Sequence, residues 1–334
     1  MVSVVIIAST LSASILSAHI NSLQDLNEEE YFEAISEYIV SNRGTPPDWG
    51  SYRDLIPDTF GLAKNDSLYP NELDSDKIGR LNPQNTFALT YTDILSAARL
   101  KNIALGISVS QLMNIAITLT SNNTLADATA YNFRVHVSQD GTPQMTYLHY
   151  YLIARNFLSD AYNNTSNDGT SIFSVEIPNP SNGTASLIVF AQASHDPRIT
   201  AYAVYSFGHL SPEPSPNGAF LNLSPLNDTL YASSNSSSMT LEKGYAFSYG
   251  YQFNLTLASN TTYALPTIAE TSPAVLAISG SNGSDFFIEW TAYPQIPLEV
   301  GPNFQNSESH SFSYMVTIKK TFYKLTLRFG GINQ

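Results

Sequence analysis

The residues best suited to chemistry are thinly spread along this chain. Six histidines, His19, His136, His149, His195, His209 and His310, stand far apart. None has the His-x-x-x-His spacing that presents two imidazoles to a metal from one helix face. His195-Asp196 comes nearest to an acid–base pair, but it lies beside Pro197 at a predicted strand end, where a turn accounts for it. Asp74-x-Asp76 and the stretch Asn163–Gly169 have part of the spacing of a calcium loop. Both lack the ordered acidic ligands and the distal glutamate such a loop needs. There is no Gly-x-Ser-x-Gly, no phosphate loop and no dinucleotide fingerprint. Tyr147, Tyr150, Tyr151, Tyr202 and Tyr205 fall in strand-like runs, as core or cross-strand residues do. The expectation is therefore a non-enzyme, with no catalytic residue, no cofactor and no metal.

Covalent modification has more candidates. Asn-x-Ser/Thr acceptors begin at Asn65, Asn122, Asn163, Asn164, Asn182, Asn222, Asn227, Asn235, Asn254, Asn260 and Asn282. Nearly all fall in predicted turns or at strand ends, where a glycan can stand in solvent. That density predicts an exported, glycosylated surface protein. The composition agrees. Charged residues make up 13% of the 334, about half the usual share, with Ser, Thr, Asn and 20 Tyr in their place. The net charge of −13 argues against nucleic acid and anionic membranes as partners. Cysteine is absent, so neither disulfides nor thiolate metal sites are available.

The element expected to position the rest is the first stretch. Residues 1–24 carry no charged side chain apart from His19 and are rich in large aliphatics, Val2, Val4, Val5, Ile6, Ile7, Leu11, Ile15, Leu16 and Ile20. From Asp25 the character changes. Glu28, Glu29, Glu30, Glu33 and Glu37 alternate with Tyr31, Phe32, Ile35, Tyr38 and Ile39 at helical spacing. Nothing breaks the run before Gly44, which is placed as a C-cap. The prediction is one helix over 1–43, about 60 Å long. A cleaved signal peptide would need a basic first region, and no Lys or Arg precedes Arg43. A lone membrane anchor has the length. A helix packed among copies of itself better suits the small side chains Ser3, Thr10, Ala13, Ser14, Ser17 and Ala18, set among Ile6 and Ile7. Ala13/Ser17 and Ser14/Ala18 have the spacing that lets helices approach closely.

Gly44-Thr45-Pro46-Pro47-Asp48-Trp49 then stops the helix. Over 44–102 the chain is short-range and mixed, with Gly61-Leu62-Ala63, a helix from Asp74 and another capped by Thr90 or Thr92. The apolar N-terminal run, this Pro-Pro-Asp-Trp turn, the Gly-Leu-Ala element, Leu73 to Lys77 and the Tyr91-led helix together resemble archaeal type IV pilin-like surface proteins, those exported with class III signals. The resemblance covers roughly residues 1–110. It implies a filament subunit whose N-terminal helices bundle in a core, with the membrane as partner only before assembly. It also implies a short basic leader, expected to have been removed ahead of Met1 or to be lacking.

After Lys101 the period changes from 3.6 to 2, through Ile103, Leu105, Ile107 and Val109. Further strands are predicted over 131–137, 146–154, 172–177, 185–192 and 200–207, divided by Asp140-Gly141, Asn167-Asp168-Gly169 and Asn182-Gly183 turns. That predicts an immunoglobulin-like antiparallel β-sandwich over 103–210. A Pro-rich linker at 211–218 and a second sandwich of the same kind over 219–334 follow. The expected fold is thus a long N-terminal helix and two tandem sandwiches. Lys319, Lys320, Lys324 and Arg328 form the one basic cluster, expected to guard an edge hairpin or to meet the acidic belt Asp25–Glu37 of a neighbouring copy. Two functions fit: a structural subunit of an extracellular filament built from copies of itself, glycosylated outside, or a membrane-anchored adhesion module contacting a surface or cell.

Overall fold

The computed structural model describes residues 28–67, 69–234, 239–259, 261–266, 273–302, 304 and 309–331. It corrects both halves of the expected fold. No long N-terminal helix stands among the described residues. The first helix runs over 28–41, and residues 1–27, with the packing residues Ser3, Ile6, Ile7, Thr10, Ala13, Ser14, Ser17 and Ala18, lie outside them. The described helix buries a narrow stripe, Phe32, Ser36, Ile39 and Val40, while Tyr31 and Tyr38 face outward with the glutamates.

What ends this helix is a clasp made by the mixed segment. The Leu62 amide donates to the Ile39 carbonyl (2.9 Å) and the Ala63 amide to the Asn42 carbonyl (2.9 Å), which satisfies acceptors at the helix end. Gly44 sits at φ +74, the left-handed conformation that suits glycine. Trp49 is fully buried against the clasp and its indole N–H donates to the Gly61 carbonyl (3.1 Å). A Cβ on Gly61 would lie 2.4 Å from the Asn42 oxygen, so only glycine fits.

Two buried cations organise the remaining irregular backbone. Lys77 Nζ donates to the carbonyls of Arg43 and Ala63, each at 2.7 Å. Arg80 donates to three carbonyls, those of Phe87, Trp49 and Leu55. Burial pushes the Lys77 ammonium down to about 8, against the charges of Asp74 and Asp48. Asp74 caps the helix Ser75–Gly79 by accepting from the Asp76 and Lys77 amides, and Thr90 forms a capping box with Asp93 ahead of Tyr91–Ala97.

The strands form three units instead of two tandem sandwiches. Ile103–Gln111, expected to open the first sandwich, pairs with Thr321–Gly331, expected to close the second. Leu298–Val300 and Ser309–Ile318 complete this antiparallel basal sheet, in the order 298–300, 103–111, 321–331, 309–318. Its inner face, Leu105, Ile107, Val109, Val316, Tyr323, Leu325, Leu327 and Phe329, shares one core with Phe32, Ile39, Trp49, Leu62 and Ile94. Lys324 and Arg328 therefore lie on an interior strand and guard no edge.

The other strands stack in four layers. In the first sandwich, Asn114–Thr124, Ala128–Gln139 and Thr170–Pro178 face Phe157–Asn164, Thr146–Ala154, Gly183–Ala193 and Thr200–His209 across a core of Phe133, Val135, Leu148 and Leu187. In the second, Leu221–Leu226, Thr229–Ser234, Thr262–Ala264 and Thr256–Ser259 face Gln252–Asn254, Met239–Ser248, Ala274–Asn282 and Asp285–Tyr293 across Leu223, Leu230, Leu276 and Ile278. The two inner sheets also bury their outer faces against each other, through Tyr151, Ile188 and Phe190 on one and Tyr245, Phe247 and Val275 on the other. Both faces of these strands are dry, which explains runs such as Leu187-Ile188-Val189-Phe190.

The Pro-rich stretch 211–218 is consequently no free linker. The Ser211 hydroxyl donates to the Gly183 carbonyl (3.0 Å) on the first sandwich. Asn217 exchanges two hydrogen bonds with the Trp290 backbone, and the buried Glu289 carboxylate accepts from the amides of Gly218 and, just beyond the stretch, Phe220. Burial outweighs these donors and raises the Glu289 carboxyl above its ordinary range.

Candidate functional site

The three units meet at one end of the inner sheets, where three turns converge. From the first sandwich comes the turn after Gly183–Ala193, carrying Pro197 and Arg198. From the second comes Ser248–Tyr251, and from the basal sheet the hairpin tip Lys319–Thr321. Together with Gln192 and Thr200 they line a cleft of about 270 Å³. Arg198, Lys319 and Lys320 contribute its charge, and no Asp or Glu lines it.

Each wall is tied down from behind. Arg198 is held in a fork by Asp196, through Nε at 3.1 Å and Nη2 at 2.9 Å, and its guanidinium lies 4.5 Å above the Phe322 ring. The Phe322 amide donates to the Arg198 carbonyl (3.0 Å), joining first sandwich to basal sheet. The bond to Arg198 keeps the Asp196 carboxyl below its usual range. On the second wall the Tyr151 hydroxyl donates to the Ser248 carbonyl (2.9 Å), and His149 Nδ1 donates to the Tyr249 carbonyl (2.6 Å). His149 is itself clamped, Nε2 to Asp160 at 3.0 Å and its face stacked on Tyr162 at 3.9 Å. On the third wall Lys319 and Lys320 occupy φ +46 and +69, the left-handed pair a tight hairpin turn requires and that Asn-Gly normally supplies. Lys319 Nζ lies 4.3 Å over the Tyr293 ring.

Behind Lys319 stands Asp76, accepting from the Asn227 amide (3.1 Å) and facing Tyr293 Oη at 3.4 Å. Burial first, then the neighbouring charges of Asp74 and Asp228, push its carboxyl up to about 6 in spite of Asn227 and Lys319. A raised folded value means that the folded state binds the proton more tightly than the unfolded chain, so this group's destabilising contribution appears as pH rises through about 4 to 6. Asp76→Asn is therefore expected to stabilise the protein at pH 8 by about 1–3 kcal/mol, with the gain gone below about pH 4. Urea titrations at both pH values check this; an equal effect at each would refute it.

The histidines do not come together. His149 lies in the cleft's support, His209 bonds Tyr131 and the Pro178 carbonyl, His310 packs on Phe32, and Asp196 bonds Arg198 rather than forming a dyad with His195. His19 lies outside the described residues. Among the described residues no three His, Asp or Glu side chains group to hold a metal. Of the acceptor asparagines, Asn122, Asn164, Asn182, Asn227 and Asn254 are exposed, and Asn65, Asn163, Asn222 and Asn282 are half-buried. Asn235 and Asn260 lie outside the described residues.

A second feature is apolar. The outer side of helix 28–41 borders a depression of about 210 Å³ lined by Tyr31, Ala34, Ile35, Tyr38, Ile39, Phe60 and Ala98. Tyr31 and Tyr38, which share the helical spacing of the apolar residues in the sequence, form its exposed rim.

No protein-family model and no curated protein matches the chain. Among solved structures, HBP35 of Porphyromonas gingivalis aligns at 12% identity and a TM-score of 0.21, over 54% of this chain and 63% of its own. Human GIVD cytosolic phospholipase A2 aligns at 11% identity and 0.16, over 70% of this chain and 33% of its own. The chain thus spans less than two thirds of either structure, and likenesses of this size do not place it in a family.

Proposed function

We propose that the chain is a structural subunit of an extracellular surface assembly, with copies of itself as principal partner and N-linked glycans on its β units. The observation that carries this reading is the apolar depression on helix 28–41. It is lined without a single charged group, and it lies on helix 28–41, which the uncharged residues 1–24 precede in the sequence by three positions. A large apolar stretch in the sequence and an apolar hollow on the structure both favour association, because each buried large aliphatic contributes about 1.5–3 kcal/mol. The acceptor asparagines fit the same picture, since all those described are at least partly open to solvent. Among the described residues no helix is long and apolar enough to cross a membrane.

The test is self-association of the full chain, followed by sedimentation and negative-stain microscopy. Ala34→Arg places a charge at an exposed position within the depression, where closing a contact would strand it. It is expected to raise the concentration needed for assembly at least about tenfold while leaving the melting temperature within a few degrees. A full chain that stays monomeric without detergent at concentrations of tens of micromolar would overturn the reading, as would unchanged assembly of the variant.

A further inference from the structure

We infer that the cleft between Arg198, Ser248–Tyr251 and Lys319–Lys320 is a binding site for a single acidic sugar unit, with its anionic group held by the three cations. The charge distribution is the first ground. In a chain of net charge −13, a cleft lined by Arg198, Lys319 and Lys320 and by no carboxylate concentrates positive potential where an anion can enter. Asp196 engages Nε and Nη2 of Arg198, Asp76 stands behind Lys319, and Glu72 feels Lys320 while bonded to Lys64. Asp196 fixes Arg198 by these bonds, whereas Asp76 and Glu72 act on the two lysines as nearby charges; none of the three carboxylates lines the cleft.

The second ground is an unused polar group. Ser248 is 8% exposed and lines the cleft, and its hydroxyl is the one buried side-chain polar atom without a partner among the described residues. Such an orphan calls for a reason. A sugar hydroxyl, or a water carried with it, supplies one. Gln192 and Thr200 add an amide and a hydroxyl to the same wall, and Tyr251, 47% exposed, offers a ring.

Backbone conformation adds a third ground. Two lysines occupy left-handed positions that Asn-Gly would fill at lower cost, so the sequence accepts local strain to place two ammonium groups on the hairpin tip. Size then limits the ligand. About 270 Å³ falls just below the usual range of small-molecule pockets, enough for one sugar residue and too small for a polymer laid along it. The similar cleft beside residues 211–215 mixes Arg155 with Glu213 and Asp285 and so lacks this bias toward anions.

The inference is independent of self-assembly, because every lining residue comes from one chain. It is tested by saturation-transfer NMR on the full chain with glucuronic acid and with glucose. Saturation of glucuronic acid and not of glucose is the expected result. The decisive variant is K319N/K320G, which removes both charges and installs the residues this turn prefers, so the fold should be kept although the Lys319 contact over Tyr293 is lost. Its expected signature is at least about a tenfold loss of glucuronic acid binding while a single cooperative melt is retained. Equal saturation of both sugars would overturn the inference, as would unchanged binding by the variant. Acetate or sulfate competing as well as glucuronic acid would overturn the sugar and leave only a bare anion site.

Discussion

Replacing Arg80 by methionine is expected to cost about 3–5 kcal/mol, one of the largest losses any single change in this chain would produce. The side chain is 2% exposed, and its N–H groups reach the Phe87 carbonyl at 2.9 Å, the Trp49 carbonyl at 2.9 Å and the Leu55 carbonyl at 2.7 Å. Its guanidinium also lies 5.7 Å from the centre of the Trp49 ring. Burial lowers its affinity for the proton, with Asp54 and Asp93 opposing, but arginine remains charged at any relevant pH. Methionine keeps most of the volume and leaves three carbonyls unbonded at about 1–3 kcal/mol each, part of which relaxation recovers. Arg80→Lys should fall between, because one ammonium cannot copy a planar fork. Urea unfolding followed by tryptophan fluorescence would read the effect. A loss below about 1 kcal/mol would mean that water replaces the guanidinium freely, and that residues 44–100 are held by their apolar contacts alone.

The importance of Arg80 was invisible in the sequence, and the reason is instructive. Local signals carried well. Asp74 and Thr90 cap the helices they precede, Gly44 takes the left-handed position after the first described helix, and Asp140-Gly141 turns a hairpin at φ +48 and +79. Strand limits also follow from alternation: the predicted strand 146–154 agrees with Thr146–Ala154. Phe157–Asn164 escaped because Ser159, Asp160, Asn163 and Asn164 give it the composition of a loop, which an outer strand position tolerates.

What composition and period could not convey is which strands share a sheet. Alternation says that Ile103–Val109 has one dry face; it does not say that the covering residues come from Phe32, Trp49 and Ile94 instead of from a sandwich. The unbroken apolar runs at 187–190 and 275–278 did contain the information that both faces are covered, and hence that the sandwiches are fused. The cleft was hidden for the same reason. Its residues lie in three turns far apart in the sequence, each ordinary by itself. Only the two adjacent lysines in a predicted hairpin turn, where Asn or Gly is the usual choice, could have marked the place.

Phe329→Ala should separate the observed pairing from the tandem arrangement by where it does its damage. Phe329 is fully buried, stacks on Phe32 with ring centres 5.2 Å apart and planes 7° from parallel, and lies edge-on to Phe312 at 6.1 Å. It pairs with Leu105 on one side and His310 on the other, so it sits between the first helix and the middle of the basal sheet. Truncating such a ring costs about 3–5 kcal/mol, because the cavity loses both transfer energy and dispersion contacts. The loss falls on one core, and cores open as cooperative units. Amides of 35–42 and of Ile103–Gln111 should therefore exchange with deuterium at least about tenfold faster, while those of 275–278, in the second sandwich, keep their protection. Were the last strands part of that sandwich, the pattern would be reversed, with 275–278 exposed and the first helix undisturbed. Exchange read by mass spectrometry on peptides from the two regions decides between them, since the helix can lose its support only if Phe329 provides it.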